Sequence, residues 1–271
     1  MSFSNSKALL FDVFGTCVDW RSSVTNELVE ESKKAVSGSA ADSMQPEIRS
    51  KAQGMSKEDW GSFAAEWRAT YYKYTRSVAA NPGLRWKTVD DHHLESLQQL
   101  LLEHKLVPED GKAGGLWDEA GIKHMSFVWH RLNPWSDTSA GIKALNTKFQ
   151  TCTLSNGNIS LLEDMQKHAG MPFTHTFSSE LFGSYKPNPA IYLGAAKRLN
   201  IEPNQCVMVA AHLGDLEAAH GCGYRTIYVE RSQEEKREVE EEARQKGFVD
   251  LWITLEEDGF VAAAQKLGID V

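Results

Sequence analysis

The amino-acid sequence predicts an α/β protein in which an all-helical insertion interrupts a doubly wound parallel sheet. Two observations lead to this prediction. Short apolar runs alternate with amphipathic segments in residues 136–271, and a first apolar run lies within residues 1–19. Between them, residues 20–135 are rich in Ala, Glu, Lys, Trp and Tyr and carry apolar residues at helical spacing. We therefore predict a core domain of residues 1–19 and 136–271, with residues 20–135 inserted after the first strand.

The predicted elements follow in order along the chain. The run KALLFDVF at 7–14 predicts a buried strand, and Ser56 followed by three charged residues predicts the N-terminus of a helix over 56–79. The breaker NPGL separates this helix from two further helices in the insertion, at 88–106 and 116–132. Strand-like and helical segments then alternate, at 149–157, 158–170, 175–183, 186–200, 206–212, 213–223, 226–230 and 251–269. This alternation is typical of a Rossmann-like core.

Composition narrows the classes of protein and partner. The 271 residues are 41% apolar, enough for a packed core, and the net charge of −8 argues against nucleic acids and anionic membranes as partners. The N-terminus lacks the features of a signal peptide, and no window has the roughly 18 apolar residues of a membrane span. The four scattered cysteines are expected to be reduced thiols, and the charge run at 232–246 a solvated helix. The sequence thus predicts a cytoplasmic protein.

Chemically active side chains follow four of the predicted strands, where each strand ends. Each of them alone has a structural explanation, as a turn residue, a helix cap or a solvated charge. In open parallel sheets, however, ligands bind at the carboxyl ends of the strands, and these residues would meet there. They are Asp12, Thr16, Ser155, Asn156, Lys186, His212 and Asp215.

Four segments that contain these residues resemble the motifs of the haloacid dehalogenase superfamily: FDVFGT, LSNG, YKPNPAIY and VAAHLGDLEAAHGCG. The resemblance covers nearly the whole chain and includes the placement of the helical insertion as a cap domain. It implies that Asp12, on the first strand, is a nucleophile that forms a covalent ester with the substrate.

Two positions favour a dehalogenase over the Mg²⁺-dependent phosphatases of the same superfamily. Phosphatases have a second aspartate in the first motif, which protonates the leaving alcohol, and here Phe14 holds that position. Their fourth motif has a magnesium-binding aspartate, which aligns with Ala211. A halide is a weakly basic leaving group that needs no general acid. The resemblance therefore implies a hydrolase acting on carbon–halide bonds, with no metal and no cofactor.

The implied reaction begins with attack of Asp12 on C2 of a short 2-haloacid, while Lys186 keeps the nucleophile ionised. Water positioned by Asp215 and Lys186 then attacks the carbonyl carbon of the ester, so that C2 is inverted once. The partner of the protein would thus be a small halogenated carboxylic acid. A phosphatase or another hydrolase on the same scaffold, and a binding module without catalysis, stay open as alternatives.

Substrate binding is assigned on the same resemblance. EWRATYYKYT at 66–75 is similar to the Trp-Arg segment of L-2-haloacid dehalogenases, which implies that Arg68 draws off the halide together with Asn156. Alternatively, Arg68 faces solvent beside a core tryptophan. Tyr72 lies one helical turn after Arg68, and Tyr192 follows Lys186 at the spacing of these dehalogenases. The predicted substrate-binding residues are Thr16, Arg68, Tyr72, Ser155, Asn156, Tyr192 and His212.

The chain departs from the dehalogenase pattern just before Asp215. Related bacterial enzymes commonly have Ser-Ser-Asn where this chain has Ala210, Ala211 and His212. The imidazole of His212 is a hydrogen-bond donor, a base that activates water, or a group that only fills space. Related dehalogenases are often homodimers, and tryptophans of the insertion form either such an interface or the core of the insertion itself.

Overall fold

A computed structural model describes residues 3–81, 83–84, 86–110 and 113–271. Its strands are β1 Ala8–Phe11, β2 Gln150–Ser155, β3 His175–Ser178, β4 Cys206–Ala210, β5 Arg225–Val229 and β6 Leu251–Ile253. Its α-helices are α1 Trp20–Ser37, α2 Pro46–Gly54, α3 Lys57–Ala80, α4 Val89–Glu103, α5 Glu119–Ser126, α6 Thr138–Leu145, α7 Ile159–Ala169, α8 Pro189–Leu199, α9 Leu213–Gly221, α10 Arg237–Lys246 and α11 Gly259–Lys266.

All neighbouring strands of the sheet run parallel, in the order β3-β2-β1-β4-β5-β6. The predicted α/β class with a doubly wound sheet is therefore confirmed. The four residues of β1 are fully buried at the centre of the sheet, and Phe11 at its end pairs with Thr153 and Val209. Because β1, β2 and β4 are in register here, the residues that follow them emerge side by side, and the strand order reverses between β1 and β4.

The chain divides into two compact units. The first comprises Met1–Asp19, Thr75–Trp86 and Asn133–Val271 and contains the sheet; the second comprises Trp20–Tyr74 and Lys87–Leu132 and is helical. Residues 75–86 fall in the first unit, whereas the sequence assigned them to the insertion. Helix α3 is continuous across this boundary, and its residues from Thr75 onward belong to the first unit. The predicted domain limits stay a prediction.

Aromatic side chains form the core of the helical unit. Trp60, Trp67 and Trp129 are almost completely buried, and the indole N–H of Trp67 donates to the carbonyl of His93. This burial agrees with the core interpretation of those three tryptophans. The N-terminus predicted at Ser56 is also present, because the Ser56 hydroxyl accepts from the backbone N–H of Asp59 while the Asp59 carboxylate accepts from that of Ser56.

The charge run at 232–246 differs from the expected solvated helix at its N-terminal end. Helix α10 begins only at Arg237, and the residues before it form a connection that follows β5. The side chain of Glu234, in this connection, is only 6% exposed. The four cysteines are free thiols, as expected. Within the described part of the chain, no helix is long and apolar enough to cross a membrane.

Candidate active site

Asp12 directly follows β1, and its backbone N–H continues the sheet by donating to the carbonyl of Val209. Its carboxylate is almost completely buried and accepts hydrogen bonds on both oxygens. Oδ1 lies 2.9 Å from Nζ of Lys186, and Oδ2 accepts from the Thr16 hydroxyl at 2.8 Å and lies 2.8 Å from Nδ1 of His212. The end of the central strand therefore presents an oriented carboxylate.

Lys186 joins two carboxylates. Its ammonium donates to Asp12 and also to Oδ2 of Asp215 at 2.5 Å, in the first turn of α9. The other oxygen of Asp215 accepts from the hydroxyl of Tyr192 at 2.5 Å. These side chains are all buried, where an unpaired charge would be costly. Each charge has an oppositely charged group bonded directly to it.

The electrostatics keep Asp12 ionised. Burial alone would raise the pKa of Asp12, but the Lys186 ammonium and the hydrogen bond and charge of His212 hold that pKa well below its usual range. Burial would likewise lower the pKa of Lys186, yet the carboxylates of Asp12 and Asp215 raise it above its ordinary value. The pKa of Asp215 is raised, by burial and, against the opposing charge of Lys186, by the Asp12 carboxylate. The pKa of Asp12 therefore lies below that of Asp215, and Asp12 stays ionised to lower pH.

His212 lies between two carboxylates. Its Nδ1 is 2.8 Å from Oδ2 of Asp12, and its Nε2 is 3.0 Å from Oε2 of Glu234. The side chain of His212 is 20% exposed and that of Glu234 only 6%. The imidazole thus contacts the carboxylate of Asp12 directly rather than only filling space.

Comparisons with known proteins place this chain in a family. A model of haloacid dehalogenase-like hydrolases matches residues 6–223. The chain belongs to this family. The crystal structure of a defluorinating L-2-haloacid dehalogenase resembles this one with a TM-score of 0.76 and a sequence identity of 31%. The match covers 97% of this chain and 95% of the dehalogenase chain. The crystal structure of another L-2-haloacid dehalogenase is 30% identical, with a TM-score of 0.77 and coverages of 97% and 99%. The (S)-2-haloacid dehalogenase 4A of Burkholderia cepacia is 23% identical over 229 residues, 83% of each chain.

The predicted resemblance is therefore confirmed, and so is the prediction that the protein is a hydrolase. The sheet unit of this haloacid dehalogenase-like hydrolase brings five predicted residues into direct contact: Asp12, Thr16, Lys186, His212 and Asp215.

Three other predicted residues of the hydrolase are engaged mainly with the protein itself. Oδ1 of Asn156 accepts from the backbone N–H of Lys186 at 2.8 Å and from the Ser179 hydroxyl at 2.7 Å. Ser155 is buried, and its hydroxyl accepts from the backbone N–H of the glycine two residues later at 3.2 Å. Tyr192 is fully buried beneath Asp215. Asn156 therefore holds the backbone of Lys186, and Tyr192 holds the carboxylate of Asp215.

Arg68 and Tyr72 lie on helix α3 in the helical unit. The guanidinium of Arg68 donates to the Tyr72 hydroxyl at 3.1 Å, so the two residues share a helix face as predicted. Arg68 is 4% exposed, and its guanidinium lies over the rings of Tyr71 and Trp20 at 4.9 and 5.3 Å. The alternative in which Arg68 faces solvent is therefore wrong.

Sequence reasoning missed the connection that carries Glu234. Arg231 anchors this connection, because its guanidinium forms two hydrogen bonds with Asp137, at 2.6 and 2.8 Å, and donates to the carbonyl of Thr16 at 3.0 Å. Oε2 of Glu235 accepts from the backbone N–H of Leu213 at 2.9 Å, at the start of α9. The cluster of acidic residues directly after the apolar run of β5 was the sequence feature that could have indicated this connection.

Gly15 makes room for Glu234. Its φ of +83° lies in the left-handed region, and a Cβ at this position would collide with the Glu234 carboxylate. The left-handed backbone favours glycine at this position, and the missing side chain leaves the space that the Glu234 carboxylate occupies.

Proposed function

We propose that this hydrolase is a 2-haloacid dehalogenase that acts without a metal through an ester on Asp12, with inversion at C2. The observation that carries the proposal is the ammonium of Lys186 between the carboxylates of Asp12 and Asp215. An ionised, desolvated carboxylate with a fixed orientation is the nucleophile that displacement at carbon requires. The full-length relatives at 30% and 31% identity are L-2-haloacid dehalogenases, and this supports a halogenated carboxylic acid as substrate.

In the first step, an oxygen of Asp12 attacks C2 and the halide leaves with the bonding electrons. A halide needs no proton to leave, which fits Phe14 at the position where a phosphatase has its general acid. We propose that Thr16 and Ser155 help to hold the nucleophile and the substrate carboxylate. On the resemblance alone, Arg68, Tyr72 and Asn156 serve halide and substrate.

In the second step, water attacks the carbonyl carbon of the Asp12 ester. Asp215 accepts hydrogen bonds from Lys186 and Tyr192, which fix its carboxylate beside Asp12. The ester bond that breaks joins the carbonyl carbon of Asp12 to the aspartate oxygen that attacked C2, so that this oxygen leaves in the hydroxyacid. The configuration that C2 acquired in the first step is therefore retained in the hydroxyacid.

The residues present do not fit the magnesium ion of the family's phosphatases. Both oxygens of Asp12 receive hydrogen bonds from protein groups, and the ammonium of Lys186 already bridges Asp12 and Asp215. Ala211 offers no side-chain ligand, and its backbone N–H instead donates to the Thr16 hydroxyl at 2.9 Å. Mg²⁺ requires oxygen ligands in octahedral geometry. No step of the proposed reaction passes through a metal.

Single turnover in ¹⁸O-labelled water tests the ester. With enzyme in excess over 2-chloropropionate, we expect the label in the carboxylate of Asp12 and not in the hydroxyacid. Label that enters the hydroxyacid in the first turnover would contradict the covalent route. Asp12→Asn should release no halide, whereas Asp164→Asn, at an exposed position on α7, should match the wild type. Turnover of phosphate esters with Mg²⁺, without halide release, would instead favour the phosphatase alternative.

A cytoplasmic location and a homodimer remain further proposals that rest on the composition and the resemblance. Cell fractionation and sedimentation of the purified protein measure them directly.

A further inference from the structure

The contacts of His212 favour a protonated ring in the resting enzyme. Nδ1 is 2.8 Å from an oxygen of Asp12, and Nε2 is 3.0 Å from an oxygen of Glu234. An ionised carboxylate only accepts hydrogen bonds, and a neutral imidazole can donate from one nitrogen only. Both hydrogen bonds therefore form together when the ring carries two protons, as an imidazolium flanked by two anions.

The position of Glu234 is built into the fold. Arg231, bound to Asp137, fixes the connection that bears Glu234, and Glu235 joins the same connection to the start of α9. Gly15 provides the space in which the Glu234 carboxylate lies. Since Arg231 and Glu235 anchor the connection on both sides of Glu234, the fold places a carboxylate at Nε2 of His212.

The anion in front of the ring, by contrast, disappears during the proposed reaction. Alkylation turns Asp12 from a carboxylate into a neutral ester, so the imidazolium loses one of its two counterions. The charged groups around it are then Glu234 and Glu235 on the connection, the Lys186 ammonium just before α8 and the Asp215 carboxylate in α9. The Lys186 charge, until then shared by two carboxylates, keeps only Asp215 as its partner. Both changes disfavour a cation at His212.

We propose that esterification of Asp12 converts His212 from a hydrogen-bond donor to the nucleophile into the general base that activates the hydrolytic water. This proposal rests on the ester route proposed above. His212 loses the Nδ1 proton to solvent, which reaches its 20% exposed side chain, while its Nε2–H continues to donate to the Glu234 carboxylate. Nδ1 and the facing ester oxygen are then both acceptors at close range. A water molecule that donates to Nδ1 relieves this repulsion and lies beside the carbonyl carbon.

Atoms and charges balance over the cycle. In the first step the C–halogen bond breaks, the Asp12 O–C2 bond forms, and one halide ion and the proton of His212 leave. In the second step water adds to the ester carbonyl carbon while one of its protons moves to Nδ1. The hydroxyacid leaves with the other proton, and Asp12 returns as a carboxylate beside an imidazolium. Glu234 touches no reacting atom and is a positioning residue.

The timing of proton release tests the proposal. In a weakly buffered stopped-flow experiment with a pH indicator, excess enzyme and 2-chloropropionate, the wild type should release one proton together with each halide. Hydrolysis of the ester should release none. A wild type whose proton appears only with the hydroxyacid would overturn the proposal, and this measurement needs no variant.

Variants separate this inference from the ester route itself. His212→Asn should release halide without the early proton, and its ester, detected by the intact protein mass, should hydrolyse about 10²- to 10⁴-fold more slowly, as expected for loss of a general base. Glu234→Gln should reduce the early proton and shift the pH profile of hydrolysis, while Glu238→Gln, an exposed charge on α10, should change neither. Ester hydrolysis at the wild-type rate in His212→Asn would refute the role of His212 and leave the ester intact. Absence of any ester in the wild type would instead refute the proposed function.

Discussion

Replacement of Lys186 by methionine should reveal how strongly the site depends on a single charge. The ammonium bridges Asp12 at 2.9 Å and Asp215 at 2.5 Å, and all three side chains are buried. Without it, two buried carboxylates lose the cation that joins them. Removal of one partner from a buried ion pair typically costs about 3–5 kcal/mol. The folded variant can limit this loss by taking up a proton on one carboxyl group.

The proton sets both the size and the pH dependence of the effect. Protonating an aspartate with an ordinary pKa of 3.8 costs about 4 kcal/mol at pH 7 and about 1.6 kcal/mol at pH 5. The unfolded chain binds no such proton at neutral pH, so the deficit of the variant should grow as the pH rises. We therefore expect Lys186→Met to lose about 4 kcal/mol in free energy of unfolding at pH 7. At pH 5 the loss should be smaller by about 2–3 kcal/mol.

Urea unfolding of the variant and the wild type at both pH values, followed by circular dichroism, measures the difference. Lys246→Met is the matched control, because Lys246 is exposed and forms only surface ion pairs, and its unfolding midpoint should stay near the wild-type value at both pH values. A Lys186→Met deficit that is equal at pH 5 and pH 7 would refute the argument that a carboxyl group takes up the proton.

Three further outcomes are expected. Tyr192→Phe removes the donor to Asp215 and should slow ester hydrolysis about 10-fold, in line with a hydrogen bond to a charged group, which rapid-quench measurement of the hydroxyacid checks. Arg68→Lys, which loses the planar guanidinium between aromatic rings, should lower kcat/KM for 2-chloropropionate, and steady-state halide release measures this change. Excess EDTA should leave halide release unchanged in the same assay, whereas a metal-dependent reaction would stop.

The sequence was sufficient for the fold class and for the residues at the ends of the strands. Strand and helix patterns are local, and the parallel pairing of β3, β2, β1 and β4 brings whatever follows these strands to the same edge of the sheet. Asp12, Lys186 and Asp215 could therefore be predicted as neighbours. The roles of Asn156 and Tyr192 could not, because the direction of each side chain depends on the packing of α8 and of the turn after β2.

Glu234 shows why the partner of His212 escaped the sequence. It lies in the charge run at 232–246, which from Arg237 onward does form an exposed helix. The residues before Arg237 have a similarly charged composition, so composition does not set Glu234 apart. What distinguishes Glu234 is a chain of tertiary contacts. Arg231 holds the connection through Asp137, a residue far away in sequence, and Gly15 leaves the space beside Asp12. None of these contacts has a sequence period or a local motif. The histidine at position 212 therefore becomes interpretable only with the fold, which supplies the Glu234 carboxylate as the second partner of its ring.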